Sequence, residues 1–277
     1  MPDTLRLAVI QMSSRDDVVA NLRRARELVA DAAEQGAKLV VLPENFAYMG
    51  TEEGKRNIAE SLDAAPRGPI VDALCEAASR SGVYLVAGGM PERSADHDRP
   101  HNTAAVIGPD GAVVGRYRKV HLFDVEVGDG QRYCESASTT PGTEAVALSI
   151  LGFRVGLSVC YDLRFPELYR KLADVGAEIV VVPAAFTLAT GKDHWHVLLR
   201  ARAIESQAYV AAAGQWGTHP HDRRTYGKSL VADPWGDVIT QCSDGEGVGV
   251  ATIDRRRLAG VRASLPSLRH RRFGVGE

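Results

Sequence analysis

One segment occurs twice in the chain, and it limits the available folds more than any other feature. Gln35-Gly36-Ala37-Lys38-Leu39-Val40-Val41-Leu42-Pro43-Glu44-Asn45-Phe46 is echoed by Val175-Gly176-Ala177-Glu178-Ile179-Val180-Val181-Val182-Pro183-Ala184-Ala185-Phe186. Each copy has a glycine suited to ending a helix, an apolar β-branched run too short for a helix, and a proline where the run stops. Each is preceded by another apolar strand, at 5–11 in the first half and 154–159 in the second, and by a helix between. Two such βαβ units related by pseudo-symmetry predict two sheets packed face to face with helices outside each. The expected fold is therefore an α/β four-layer α-β-β-α sandwich with two pseudo-symmetric halves, forming one domain over 1–277. A Rossmann-like sheet would explain the alternation equally well. However, no G-x-G-x-x-G follows the first strand and no G-x-x-x-x-G-K-[ST] occurs, so nucleotide binding has no support.

The other elements fit this frame. Asp16 or Asp17 is placed to cap a helix whose Val18, Leu22, Ala25, Leu28, Val29 and Ala32 share one face, ended by Gly36. Pro69 opens a second helix, 83–87 reads as a strand, and 103–107 with 112–117 as a hairpin around Pro109-Asp110-Gly111. Residues 121–142 show no sustained period, and a loop of that length in a compact domain is usually functional. It carries Glu126 and Glu135. Further on, 146–150 and 154–159 read as strands and a helix starts at Pro166. A strand at 178–182 closes at Pro183, and a helix spans about 193–207. Strands follow at 209–213, 228–232 and 248–253, with a turn at Asp233-Pro234-Trp235-Gly236 and a last helix capped by Asp254. The basic tail from about 266 reads as a surface or subunit-contact segment.

Three reactive side chains stand just past the ends of apolar strands: Glu44 after 38–42, Lys119 after the hairpin and Cys160 after 154–159. Strand ends along one sheet edge lie close in space, and Cys160 occupies a strand-to-helix corner where the next backbone N–H groups face a bound molecule. A thiol needs to lose its proton to become a strong nucleophile, and a carboxylate able to take it would activate Cys160. Negative charge that develops on a carbonyl oxygen would then be met by Lys119 and the backbone N–H of Tyr161. The product is a thioester, and the same glutamate can activate the water that releases the acid. Singly, each residue has an ordinary explanation: a buried thiol, a cap, one more solvated charge beside Arg116 and Arg118. Together they point to acyl transfer. His194 and His196 are one residue apart on a helix and face different sides, which argues against a metal pair. Cys75 falls on an apolar helix stripe. Cys134 and Cys242 sit in polar stretches and carry no assigned role.

Composition removes several classes of function. Lys plus Arg number 33 and Asp plus Glu 35, a net charge of −2, so no global field recruits nucleic acid or an acidic membrane. The four cysteines are widely spaced without C-x-x-C pairing, which suits a reducing cytoplasm. The expectation is a cytoplasmic protein without an export signal or membrane span.

Pro43-Glu44-Asn45, Arg118-Lys119-Val120-His121-Leu122-Phe123-Asp124 and Cys160-Tyr161-Asp162-Leu163-Arg164-Phe165-Pro166-Glu167 resemble the three signature segments of the nitrilase, or carbon–nitrogen hydrolase, superfamily. The resemblance covers nearly the whole chain. It implies the four-layer fold and a Glu-Lys-Cys triad that hydrolyses non-peptide C–N bonds through a thioester, without metal or cofactor. It makes Glu44 the base, Lys119 the acid or oxyanion stabiliser, Cys160 the nucleophile and Glu135 the accessory glutamate that orients the lysine. Within the superfamily the chain is similar to the Nit branch, and there to the deaminated glutathione amidases over the ω-amidases. This rests on Cys134-Glu135-Ser136, on Leu199-Arg200-Ala201-Arg202-Ala203-Ile204-Glu205 and on the short Gly214-Gln215-Trp216-Gly217 segment leading to Tyr226-Gly227. In that branch Arg164, Phe186 and Thr190 fall at substrate contacts: a guanidinium for a carboxylate, a ring wall and a hydroxyl donor. One departure is that Gly191-Lys192-Asp193-His194-Trp195-His196 stands where the family usually has Gly-Pro-Ala-His-Trp-Glu, removing a helix-start carboxylate at position 196 beside the pocket. The resemblance implies a homo-oligomer, at least a dimer, acting on a small-molecule amide. The expected reaction is hydrolysis of deaminated glutathione to 2-oxoglutarate and cysteinylglycine. The alternatives are an ω-amidase acting on 2-oxoglutaramate or another small ω-amide, and a non-catalytic oligomeric scaffold.

Overall fold

The computed structural model describes residues 3–63, 67–126 and 132–274. Two six-stranded sheets organise it. The first runs, edge to edge, Gly247–Asp254, Thr4–Gln11, Leu39–Leu42, Tyr84–Glu92, His101–Ile107 and Val113–Arg118. The second runs Val146–Ile150, Phe153–Leu157, Ile179–Ala184, Tyr209–Gly214, Leu230–Ala232 and Val238–Gln241. In both, the second, third and fourth strands are parallel and the flanking strands antiparallel. The repeated segment supplies the third strand of each sheet, so the repeat read in the sequence is a repeat of position in the fold.

Strand alternation explains why these strands are apolar on both sides. In the first sheet Ala8, Ile10, Val40, Leu42 and Leu85 lie under the helices Val18–Glu34 and Pro69–Ser81. Their neighbours Leu7, Val9, Leu39, Val41 and Val86 share a core with Val155, Leu157 and Val181 of the second sheet. The helices Pro166–Asp174 and Leu188–Ser206 pack against that second sheet through Leu168, Leu172, Trp195 and Leu199. The four layers are in place.

Helix ends follow local chemistry. Asp17 caps the first helix by accepting the Ala20 N–H at 3.0 Å. Gly36 and Gly176 take left-handed φ of 86° and 82°, and in both the next residue's N–H closes the helix at 3.0 Å, Ala37 to Ala32 and Ala177 to Leu172.

Four expectations need correction. The strand from Ile179 runs through Pro183 to Ala184, because the missing N–H falls one residue before the strand ends. The helix expected from about 193 begins at Leu188, capped by Thr187, and Gly191 lies within it. The loop 121–142 contains a small hairpin of Asp124–Glu126 with Arg132–Cys134 and a 3₁₀ turn at Glu135–Ala137; 127–131 lie outside the described residues. Short strands Trp216–Thr218, Arg224–Tyr226 and Val238–Gln241 were not expected, being too brief to show a period.

Candidate active site

The carboxyl ends of several strands, central ones of both sheets and the edge strand Val113–Arg118, open at one corner. Glu44 follows Leu39–Leu42, Lys119 follows Val113–Arg118, Cys160 follows the extended residues after Phe153–Leu157, and Ala185 follows Ile179–Ala184. Cys160 begins a 3₁₀ turn, Cys160–Arg164, with φ of 48°, a left-handed conformation that non-glycine residues adopt at a cost. Asp162 holds the turn in place. Completely buried, it accepts the Val159 N–H at 2.8 Å and the Tyr117 hydroxyl at 2.7 Å on Oδ2, and the His121 N–H at 3.1 Å on Oδ1, which also lies 2.7 Å from His121 Nδ1. Tyr117 and His121 flank Lys119, so this one carboxylate locks the cysteine turn to the lysine segment.

The charged centre is nearly closed to solvent: Glu44 is 3% exposed, Lys119 2% and Cys160 8%. Lys119 Nζ donates to Glu44 Oε1 at 2.9 Å and to Glu135 Oε2 at 2.8 Å. Asn102 Nδ2 donates to Glu44 Oε1 and to Glu135 Oε1, both at 2.9 Å. The Ala185 N–H donates to Glu44 Oε2 at 3.0 Å, and the Phe123 N–H to Glu135 Oε2 at 2.7 Å. Cys160 and Glu44 line the same cavity, near enough for each charge to act on the other's ionisation. Space for Glu44 comes from Gly89, at φ 65°, where a Cβ would sit 2.4 Å from Glu44 Cγ; its neighbour Gly88 similarly admits Pro183 of the other sheet.

These contacts assign protons. Burial acts to raise the Glu44 pKa, but the Lys119 charge, the neighbouring Cys160 and the bond from Lys119 prevail and hold it well below the usual carboxylate range. Burial and the Glu44 charge push the Cys160 thiol well above its ordinary value, against the opposing pull of Lys119. Burial disfavours the Lys119 charge, but Glu135 and Glu44 together keep it firmly protonated. The resting centre is thus a carboxylate, an ammonium and a neutral thiol. A thiol that keeps its proton at rest, beside a carboxylate able to take it, is the arrangement general-base activation requires.

A cavity of about 170 Å³ opens over Cys160. All eight residues expected at the site line it: Glu44, Lys119, Glu135, Cys160, Tyr161, Arg164, Phe186 and Thr190. Arg164 lies 4.9 Å above the Phe186 ring and 5.9 Å from the Tyr161 ring, with its Nη1 3.3 Å from His194 Nδ1. Glu126 does not line it. Nor does His196, which sits mid-helix with Nε2 2.7 Å from Gln241 Oε1, so the missing carboxylate at 196 leaves this cavity untouched. Cys134 is on the cavity wall and Cys242 is buried, while Cys75 is only partly buried.

Sequence reasoning missed Asn102, Asp162, Ala185 and Arg223. Asn102 is the second residue of its strand, and nothing in a single sequence marks it out. Asp162 had a signal, since it lies two residues from the nucleophile.

The profile of the carbon-nitrogen hydrolase family matches residues 6–263. The chain is 46% identical over 269 residues to a deaminated glutathione amidase of Synechocystis, covering 96% of this chain and 97% of that one. It is 39% identical over 267 residues to an omega-amidase of Danio rerio, covering 96% and 94%. The NitFhit protein of C. elegans superposes with a TM-score of 0.90 at 38% identity; the match covers 98% of this chain and 65% of that longer one.

Proposed function

Because the chain belongs to the carbon–nitrogen hydrolase family and is a hydrolytic amidase, we propose that it hydrolyses deaminated glutathione to 2-oxoglutarate and cysteinylglycine through a thioester on Cys160. The observation that carries the mechanism is a buried Cys160 thiol sharing one cavity with a Glu44 carboxylate that Lys119, Asn102 and the Ala185 N–H hold in one orientation.

As Sγ adds to the amide carbon, its proton passes to Glu44 Oε. The carbonyl oxygen, now negative, is met by Lys119 and the Tyr161 N–H, which lies in the first turn of the 3₁₀ helix where N–H groups have no intrahelical partner. Glu44 then gives the proton to the nitrogen, the C–N bond breaks and the amine leaves. In the second half Glu44 takes a proton from water as its oxygen attacks the thioester, and Sγ recovers a proton as the acid departs. Glu135 holds Lys119 through a second carboxylate bond beside that of Glu44. Arg164 receives the acyl group's carboxylate, with Phe186 as a wall and Thr190 as a donor.

The substrate assignment rests on the relatives' activities and on a cavity lined by guanidinium groups. An ω-amidase acting on 2-oxoglutaramate is the second reading, favoured by the omega-amidase relative and by the sufficiency of Arg164 for a single carboxylate. Hydrolysis of both substrates by the purified protein, with Cys160→Ala as control, decides between them. A tenfold larger kcat/KM for deaminated glutathione is expected; a preference for 2-oxoglutaramate would reassign the enzyme. The same reading takes it to be cytoplasmic and at least dimeric, through the helix from Pro166 and the tail. Phe273, 90% exposed beside Pro166 and Arg170, supports that contact. Among the described residues no helix is long and apolar enough to cross a membrane.

A further inference from the structure

Five cationic side chains line the cavity, Lys55, Lys119, Arg132, Arg164 and Arg223, and the two lysines are already neutralised. Lys119 lies between Glu44 and Glu135, and Lys55 bonds Glu52 at 2.8 Å. Of the arginines, Arg132 is exposed, whereas Arg164 and Arg223 lie against aromatic rings and neither makes an ion-pair contact with a carboxylate among the described residues, the Arg223 charge acting on Glu52 and Glu44 only at longer range. Arg223 Nε is buried without a hydrogen-bond partner. A buried guanidinium N–H left unpaired is costly, so a site that retains one is built for an acceptor that arrives with the ligand.

The two guanidiniums are set apart by a row of aromatic rings. Arg223 lies 5.6 Å from the Tyr133 ring, Tyr133 meets Phe123 at 5.0 Å, Phe123 meets Tyr161 at 5.0 Å, and Arg164 covers Tyr161. Arg164 belongs to the turn that carries the nucleophile, whereas Arg223 comes from the separate segment before Arg224–Tyr226. Stacking against rings fixes each guanidinium plane while leaving its N–H edge available for a bidentate carboxylate.

We propose that Arg223 binds a carboxylate carried by the leaving amine while Arg164 binds the one on the acyl group, so that the cavity selects amides with an anion on each side of the scissile bond. This rests on the amidase reading above and sharpens it. Deaminated glutathione carries both anions, 2-oxoglutaramate only the acyl one.

Three substrates test the assignment: deaminated glutathione, its C-terminal carboxamide, in which the distal anion is removed without changing shape, and 2-oxoglutaramate. The native enzyme is expected to prefer the acid over the carboxamide by about 10- to 100-fold in kcat/KM, chiefly through KM. Arg223→Gln should collapse that ratio to near one, and Arg223→Lys should restore part of it. If the native enzyme treats acid and carboxamide alike, or Arg223→Gln lowers kcat/KM for all three substrates by the same factor, the proposal is overturned while the amidase reading stands. Collapse of the ratio in Arg132→Gln but not in Arg223→Gln would also overturn it, by moving the role to the neighbouring arginine. Inactivity of the native enzyme on all three substrates would sink the amidase reading itself.

Discussion

Lys119→Met is the change that most directly tests the charge arrangement. The lysine is the only cation bonded to both Glu44 and Glu135 among the described residues, and all but 2% of it is buried. Removing one partner of a buried ionic cluster costs about 3–5 kcal/mol, because the charges left behind have neither water nor a counter-charge. Here two carboxylates would remain, joined through the single Asn102 Nδ2. They cannot both stay ionised at that separation, so one should take up a proton near neutral pH. The pH dependence therefore reverses sign. In the native protein Glu44 is held below its ordinary value of 4.5; its contribution is full above that value and is lost as pH falls through the folded one. In the variant a carboxyl is raised, and its contribution is full at low pH and lost as pH rises. The stability deficit of Lys119→Met, read from urea unfolding at matched protein concentration, should be largest at pH 8. By pH 5 it should shrink by about 1.4 kcal/mol for each unit that the variant's carboxyl pKa lies above pH 5. A deficit that stays constant with pH, or grows toward pH 5, would refute the claim that Lys119 keeps both carboxylates ionised.

Two further predictions follow from the same contacts. Glu44→Gln removes the base and should lower kcat by roughly 10²–10⁴; yet it also removes the charge that raises the thiol while Lys119 remains, so the Cys160 pKa should fall. Thiolate absorbance against pH measures this, and a thiol pKa equal to or above the native one would show that Glu44 does not hold the proton on sulfur. Asn102→Asp places a third carboxylate between Glu44 and Glu135, and should cost at least tenfold in kcat, more than Asn102→Ala, with partial recovery as pH falls toward 5. Equal losses in the two variants, independent of pH, would show that the side chain matters only for packing.

Much of the site was legible before any coordinates. Glu44, Lys119 and Cys160 each stand where an apolar run stops, and the termination of a strand is a local event written in a few residues. Glu135 lies in a stretch without period, and its place came from the resemblance alone. Asn102 and Ala185 were not legible, because a strand side-chain amide and a backbone N–H acquire a role only from what distant segments bring beside them, Glu44 and Glu135 for Asn102 and the other sheet's Glu44 for Ala185. His196 shows the opposite error: one residue out of pattern near the nucleophile's helix looked consequential, but the helix begins at Leu188, and its 3.6-residue turn points that side chain at Gln241.

What the sequence by itself determined was the architecture and the candidate reacting groups that line the cavity. The repeated helix–glycine–strand–proline segment is governed by local propensity and by the need to bury two apolar faces, and both are properties of the chain read alone. What only the tertiary structure decided was the state of those groups. The proton sits on Cys160 rather than on Glu44 because burial, one lysine and two carboxylates act on the same few ångströms, and those residues lie as far as 116 positions apart between Glu44 and Cys160. Charge interactions depend on distance and on exclusion of water, and neither exists until the two sheets have closed on each other.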